Sequence, residues 1–116
     1  MAFANKMHFN RSSNQYRALL RSLARALVLE DRISTTEAKA KALRPFIERL
    51  VTYAKKNTLA SRRLAKARLG DDAAVKKLFE SIGPRYAERA GGYTRVVKRA
   101  KRGANDARKL AFISFV

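Results

Sequence analysis

Positive charge dominates this sequence of 116 residues. It contains 27 Lys and Arg residues against nine Asp and Glu residues, so the formal net charge at pH 7 is +18. A compact chain with this imbalance repels itself unless a polyanion neutralises it. Every segment carries excess positive charge except residues 71–83, which are slightly acidic. Distributed charge favours a compact domain that binds polyphosphate over much of its surface, rather than a neutral domain with a charged tail.

Several classes of protein are excluded by what the chain lacks. It has no Cys, which removes disulfides, thiolate metal sites and Cys nucleophiles, and its one histidine, His8, has no neighbour at metal-ligand spacing. Residues 1–10 hold no apolar signal segment, and the longest apolar stretch, residues 110–116, is far short of the roughly 20 residues that span a membrane. We therefore expect a soluble cytoplasmic protein that is not an enzyme, with no metal, cofactor, small-molecule substrate or membrane partner.

A first helix is predicted to begin after Ser12, which stands with Gln15 at the spacing of a capping box. It is expected to end near the acidic pair Glu30 and Asp31, because carboxylates are unfavourable at a helix C-terminus. Its apolar face consists of residues that recur at helical spacing. These are Tyr16, Leu19, Leu20, Leu23 and Leu27.

A second helix follows, with Ser34, Thr35 or Thr36 as its N-cap. Pro45 lies inside this helix and predicts a kink or a break, since proline removes a backbone hydrogen bond. The apolar period continues in phase on both sides of Pro45, which favours a kink. Its apolar positions are Leu43, Phe46, Ile47, Leu50, Val51 and Ala54.

Two shorter helices complete the helical part of the chain. The third is capped by Asn57 or Thr58 and is expected to stop at Gly70, a residue typical of helix C-termini. The fourth begins at the pair Asp71-Asp72, which favours a helix N-terminus, and is predicted to end at Gly83-Pro84. Because it is the only segment without excess positive charge, it is expected to face solvent or another protein.

Three segments have strand character: residues 32–35, 93–100 and 109–116. The order of elements is then helix, strand, three helices and two strands. This order predicts an α+β fold with two layers, in which a small mixed sheet packs on the helices. Residues 1–11 are predicted to form a flexible N-terminal arm, and residues 12–116 a single α+β domain that binds a polyanion.

Two groups of basic residues have no acidic neighbours to balance them. Arg17, Arg21 and Arg25 recur every fourth residue along one side of the first helix. The third helix carries a second group, formed by Arg62, Arg63, Lys66 and Arg68. Each group could be an ordinary solvated helix face. The missing acids favour contact with a phosphate backbone instead.

Residues 85–95 interleave arginine, tyrosine and paired glycine. Arginine binds phosphate through two parallel hydrogen bonds, tyrosine stacks on unpaired bases, and glycine lets the backbone approach a ligand closely. The alternative is a tight turn leading into a strand, with Tyr86 and Tyr93 packed in the core. The composition of the segment favours neither interpretation.

Several motifs, spread in order over nearly the whole chain, resemble the bacterial-type family of large-subunit ribosomal protein seventeen. The most specific is Gly83-Pro84-Arg85-Tyr86 followed by Arg89-Ala90-Gly91-Gly92-Tyr93-Thr94-Arg95. The others are Arg11-Ser12-Ser13, Arg32-Ile33-Ser34-Thr35-Thr36, Ala38-Lys39-Ala40, Leu43-Arg44-Pro45, Arg62-Arg63, Lys77-Leu78-Phe79 and Gly103-Ala104-Asn105-Asp106-Ala107. Residues 1–10 depart from the dense Arg/Lys opening usual in the family, since Lys6 is their only firm positive charge.

The resemblance implies a structural component of the large ribosomal subunit. Such a protein binds 23S ribosomal RNA near the rim of the polypeptide exit tunnel and contacts neighbouring ribosomal proteins. Together with the charge pattern, the resemblance identifies a set of candidate RNA-binding residues. They are Lys6, Arg11, Ser12, Arg17, Arg21, Arg25, Lys39, Arg62, Arg63, Lys66, Arg85, Arg89, Gly91, Gly92, Tyr93, Arg95, Lys98, Arg99, Lys101 and Arg102.

Two other functions are compatible with parts of this pattern. A nucleoid-type protein that binds duplex DNA would share the charge, but the chain has no convincing helix-turn-helix spacing. An RNA-modifying enzyme would need a cofactor loop or a catalytic carboxylate, Cys or His in a pocket. None of these is visible in the sequence.

Overall fold

The structure, a computed structural model, describes residues 12–102 and 109–116. The predicted arm at residues 1–11, with Lys6 and Arg11, lies outside the described residues. The elements in chain order are α1 (Ser13–Glu30), β1 (Arg32–Thr36), α2 (Glu37–Lys56), α3 (Leu59–Leu69), α4 (Asp72–Lys77), a π-helical turn (Leu78–Ile82), α5 (Gly83–Arg85), β2 (Thr94–Arg102) and β3 (Lys109–Phe115). This order and the α+β fold class confirm the sequence prediction.

The three strands form one sheet in the order β1-β3-β2. Both strand pairs are antiparallel, with Ile113 of β3 opposite Ile33 of β1 on one side and Val96 of β2 on the other. The prediction of a mixed sheet was therefore wrong in this respect. The direction in which β1 enters the sheet depends on how α1 and α2 pack, and no local pattern in the sequence records it.

Side-chain caps set the starts of the helices. Ser12 and Gln15 form the predicted capping box at α1. Among the three candidates for α2, Thr36 is the cap, because its hydroxyl accepts a hydrogen bond from the Lys39 backbone N–H. Thr58, rather than Asn57, caps α3, and Asp71 caps α4. Each cap satisfies backbone donors that the first helical turn leaves free.

The ends of α1 and α3 lie where the sequence predicts them. Asp31 follows α1 in the left-handed region, at a φ of 65°. Its carboxylate would be unfavourable there, but the side chains of Lys77 and Arg85 lie 3.6 and 3.8 Å away and offset the charge. Gly70 ends α3 with a φ of 69°, a conformation that glycine adopts without steric cost.

Neither Pro45 nor the pair Gly83-Pro84 interrupts the helical backbone. Helix α2 runs through Pro45 without a break, as its unbroken apolar period predicts. The prediction that Gly83 and Pro84 end the fourth helical segment was wrong, because helical backbone continues to Arg85. Proline is tolerated in the first turn of a helix, where its missing N–H costs nothing. Gly83 also lies against α2, where an added Cβ would come within 3.0 Å of Ala54.

The hydrophobic core lies between the helices and one face of the sheet. Ala111 and Ile113 of β3 point into it, opposite the fully buried Leu43, Ile47 and Leu50 of α2. Helix α2 is the central element, since it contacts α1, α3 and all three strands. None of the described helices packs on the opposite face of the sheet. Within residues 12–102 and 109–116, no helix is both long and apolar enough to cross a membrane.

Candidate nucleic-acid interface

The fold leaves most of the basic side chains without an acidic partner. Five ion pairs form among the described residues, and they join five cations to only three carboxylates. The carboxylates are those of Asp31, Glu37 and Asp72. The remaining Lys and Arg side chains that the structure describes have no carboxylate within 4.0 Å. The positive charge seen in the sequence is therefore not cancelled by folding.

Arg17, Arg21 and Arg25 form an arginine ladder along α1, and its members have two different roles. Arg25 donates from Nε to the Leu69 carbonyl at 2.6 Å, and Arg21 donates to the carbonyls of Arg68 and Ala67 at 3.1 and 3.4 Å. These carbonyls are the unpaired acceptors at the C-terminus of α3, where positive charge is favourable. Sequence reasoning missed this capping role, because it joins residues more than 40 positions apart. Arg17, one turn earlier, is exposed.

A cleft of about 470 Å³ lies where α1, α2 and α3 meet. Its lining residues are Arg17, Leu20, Arg21, Phe46, Ala67 and Arg68. The cleft therefore brings Arg17 and Arg21 of the arginine ladder together with Arg68 of α3. It combines an apolar floor with a cationic rim. The hydrogen bonds from Arg21 to α3 connect two of its walls.

The basic cluster of α3 presents its charges on one exposed helix. Arg62 stacks over the Phe79 ring, with its guanidinium carbon 4.8 Å from the ring centroid, and Arg63 is exposed. Lys66 is partly neutralised, since its ammonium lies 2.6 Å from the Asp72 carboxylate. The exposed Leu59 and Leu64 lie on the same helix, so this surface has an apolar component as well.

The structure decides between the two interpretations of residues 85–95. Tyr86 and Tyr93 are both 4% exposed, and their ring centroids lie 5.3 Å apart in the core. The Tyr86 hydroxyl donates to the Val116 carbonyl at 2.6 Å, and Lys55 donates to the Tyr93 hydroxyl at 2.9 Å. Neither ring is free to stack on a base. The second interpretation therefore holds for the ring of Tyr93, which packs in the core.

The charged and glycine residues of this segment lie at the surface. Arg85 is near Asp31, at 3.8 Å, and Arg89 donates from Nε to the Gly91 carbonyl at 3.0 Å. Gly92 has a φ of 62°, which favours glycine. A Cβ added at Gly91 would meet no described atom within 4 Å, so the backbone is open to a ligand there.

The remaining candidates lie at the start of α1, on α2 and on the sheet. Ser12 uses its hydroxyl in the capping box, and Lys39 is partly exposed on α2. On β2, Arg95 is exposed, while Lys98 lies 3.6 Å from the Glu37 carboxylate. Arg99, also on β2, contacts Ser34 of β1 and Phe112 of β3. The last two candidates, Lys101 and Arg102, belong to β2, but their side chains lie outside the described part of the chain.

Glu48 organises the start of β2, and sequence reasoning did not identify it. Its carboxylate accepts hydrogen bonds from the backbone N–H groups of Tyr93 and Thr94, each at 3.1 Å, and from the Thr94 hydroxyl at 3.0 Å. A lone carboxylate on a helix gives no signal of this task, because its partners are 45 residues away or more.

The carboxylate of Glu37 predicts a pH dependence of stability. A hydrogen bond from Lys41 at 2.9 Å, together with the charges of Lys41, Lys98 and Lys109, holds the pKa of Glu37 below its ordinary value of 4.5, although burial acts in the opposite direction. A carboxyl group whose pKa is lowered by folding stabilises the folded state above its unfolded-state pKa. That contribution is lost as the pH falls through the lower folded-state pKa.

We therefore expect Glu37→Gln to lower the free energy of unfolding at pH 7 and to have progressively less effect below pH 4.5. Urea unfolding of both proteins from pH 7 to pH 3 measures the difference. A difference between the two proteins that stays constant over this range would contradict the assignment.

No metal centre is evident in this surface. Among the described residues, no group of three or more His, Cys, Asp or Glu side chains is placed to hold a metal ion. The side chains that converge are instead arginines, lysines and apolar residues. This chemistry suits a polyanion, because guanidinium groups bind phosphate through paired hydrogen bonds.

Comparison with known proteins agrees with this chemistry. Residues 19–116 match the family model described as ribosomal protein L17. The chain is 54% identical over 111 residues to the large ribosomal subunit protein bL17 of a Hydrogenobaculum species, which covers 96% of this chain and 94% of the relative. It is 51% identical over 109 residues to the protein of the same name from Persephonella marina, covering 93% and 88% of the two chains.

A third relative, from Natranaerobius thermophilus, has the same name and is 50% identical over 97 residues, which cover 84% of this chain and 86% of the relative. These names are those of a ribosomal protein and not of an enzyme, in agreement with the expectation that the chain is not an enzyme. With most of its length matched by both kinds of comparison, the chain belongs to the ribosomal protein L17 family.

Proposed function

We propose that this protein is a structural component of the large ribosomal subunit and that it binds 23S ribosomal RNA through basic side chains distributed over its surface. It acts in the cytoplasm, as part of the ribosome, without a cofactor. The names of the relatives, which are large-subunit proteins, support the assembly. The charge of the chain supports the RNA partner, because ribosomal RNA is a dense polyanion.

The observation that carries this proposal is the set of unpaired cations. Only three carboxylates form ion pairs in the described part of the chain, so most Lys and Arg side chains remain available to phosphate groups. Each phosphate neutralised by the protein releases condensed counterions, which supplies a large part of the binding free energy. A fold that leaves its cations unpaired retains this source of affinity.

Two parts of the surface are the strongest candidates for direct contact. One is the cleft rim, which presents Arg17 and Arg68. The other is the exposed part of α3 outside the cleft, which presents Arg62 and Arg63. Arg21 acts differently in this proposal, since its hydrogen bonds to α3 fix the position of the rim. Recognition of this kind reads the shape and backbone of folded RNA more than its sequence.

The position of the protein within the subunit rests on the family resemblance. We place it near the rim of the polypeptide exit tunnel, in contact with neighbouring ribosomal proteins. The slightly acidic segment, residues 71–83, is the natural side for a protein neighbour, because the exposed carboxylate of Glu80 there would repel RNA.

Sedimentation of a native lysate tests the proposed assembly. Subunits are separated on a sucrose gradient at low magnesium after a high-salt wash, and the protein is quantified by mass spectrometry. We expect one copy per large subunit that resists the wash. Migration at the top of the gradient or with chromosomal DNA would contradict the proposal and favour another polyanion.

A further inference from the structure

The outer face of the sheet carries a second concentration of arginine. The core side of β3 holds Ala111 and Ile113, so the alternate residues Phe112 and Ser114 point to the opposite face. Ser114 lies opposite Arg32 of β1 and Arg95 of β2. One row across this face therefore reads arginine, serine, arginine.

The next row has an aromatic centre. Phe112 lies opposite Ser34 of β1 and Val97 of β2, and Val97 is 47% exposed. Arg32 places its guanidinium carbon 3.7 Å from the Phe112 ring centroid, and Arg99 places its own at 5.0 Å. Two arginines from opposite edges of the sheet thus stack on one ring.

The contacts of Arg99 hold it in place. Its Nη1 atom donates to the Ser34 hydroxyl at 2.9 Å, so the side chain crosses the sheet from β2 to β1 over Phe112. Stacking on an aromatic ring restricts a guanidinium while leaving N–H groups along its edge free to donate. The entropic cost of ordering these long side chains has already been met in the folded protein.

We propose that this outer sheet face binds the phosphate backbone of ribosomal RNA, with Arg32, Arg95 and Arg99 as its donors and Phe112 as the positioning residue. This rests on the function proposed above and assigns a specific surface to it. Arg32, Arg95 and Arg99 have no carboxylate within 4.0 Å in the described part of the chain, so the face is complementary to a polyanion.

Two features favour phosphate over other occupants. The Phe112 ring is already covered by guanidinium groups, which leaves little of it for stacking with a base. The apolar side chains of this face, Phe112 and Val97, are flanked by arginine on both edges of the sheet, whereas the centre of a protein–protein interface is depleted in charge. The hydroxyls of Ser34 and Ser114 add donors suited to phosphate oxygens.

Binding of full-length variants to protein-free 23S ribosomal RNA, measured across a range of salt concentrations, tests this proposal. Arg32→Gln and Arg99→Gln are each expected to reduce the slope of log affinity against log salt by about 0.7 to 0.9, and the double variant by about twice as much. Lys76→Gln is the matched control, because Lys76 is an exposed cation on the acidic segment. It is expected to leave the slope unchanged.

Phe112→Leu separates positioning from charge. It keeps an apolar side chain and every cation, so we expect an unchanged salt slope and an affinity about two- to five-fold lower at fixed salt. A variant that unfolds at the wild-type temperature and binds with wild-type affinity would overturn the positioning role.

The possible failures can be told apart. A wild-type protein that binds this RNA weakly and with a flat salt dependence would contradict the proposed function itself. A steep wild-type slope that Arg32→Gln and Arg99→Gln leave unchanged would overturn only the assignment of the sheet face. That second result would favour a protein neighbour, instead of RNA, as the partner of this face.

Discussion

Raising the salt concentration from 50 to 200 mM is expected to weaken binding of this protein to 23S ribosomal RNA by about 10⁴-fold. The estimate follows from counterion release: about eight phosphate contacts give a slope of log affinity against log salt of roughly −6 to −7. The chain has 27 basic residues, and only five of those that the structure describes form an ion pair, so eight phosphate contacts are within its capacity. Filter binding or fluorescence anisotropy at several salt concentrations measures the slope.

A paired variant identifies where part of this slope arises. Arg62→Gln/Arg63→Gln removes two exposed charges of α3, so the slope should become shallower by about 1.4 to 1.8. Duplex DNA of similar length serves as a competitor, and the wild-type protein should prefer the ribosomal RNA. An unchanged slope in the double variant would remove α3 from the interface, and preference for the DNA would favour the nucleoid-type alternative.

Replacement of Glu48 by alanine is expected to cost about 3 kcal/mol of folding free energy, because it leaves donors in the interior without an acceptor. The backbone N–H groups of Tyr93 and Thr94 and the Thr94 hydroxyl all donate to this carboxylate. Tyr93 and Thr94 are 4% and 2% exposed, so water has poor access to replace it. For a domain of this size, the melting temperature should fall by about 12 °C.

Two further variants show whether the hydrogen bonds are responsible. Glu48→Gln keeps one carbonyl oxygen as an acceptor, so its loss of stability should lie between those of wild type and Glu48→Ala. Glu80→Ala removes an exposed carboxylate and should change the free energy of unfolding by less than about 0.5 kcal/mol. Equal effects of the alanine variants at positions 48 and 80 would contradict the structural role of Glu48.

The helices were predicted well from the sequence because their signals are local. A cap and the residue it binds are two or three positions apart, as for Thr58 and Ser61 or Asp71 and Ala73, so both partners lie in the same short window. The C-terminal stop at Gly70 is equally local. The prediction of a helix end at Gly83 was wrong because this residue is helical. A glycine is needed there because a Cβ would come within 3.0 Å of Ala54 on another helix.

The candidate interface was predicted less completely. Residue type indicates that an arginine is suited to phosphate, but not whether the fold already uses it. Arg17, Arg21 and Arg25 have the same spacing in the sequence, yet Arg21 and Arg25 cap α3. In the same way, composition left Tyr93 equally suited to a base or to the core, and the structure shows it buried.

The sequence by itself determined the excess of positive charge, the exclusion of Cys-based chemistry, the order of helices and strands and the family resemblance. Each of these depends on composition or on residues a few positions apart. Only the tertiary structure decided the antiparallel strand order, the role of Glu48, the division of the arginine ladder and the stacking of Arg32 and Arg99 on Phe112. The side-chain contacts among these features join residues separated by 13 to 80 positions, and Arg32 of β1 pairs with Ser114 of β3. The partners are selected by packing of the whole core, which no short-range pattern encodes.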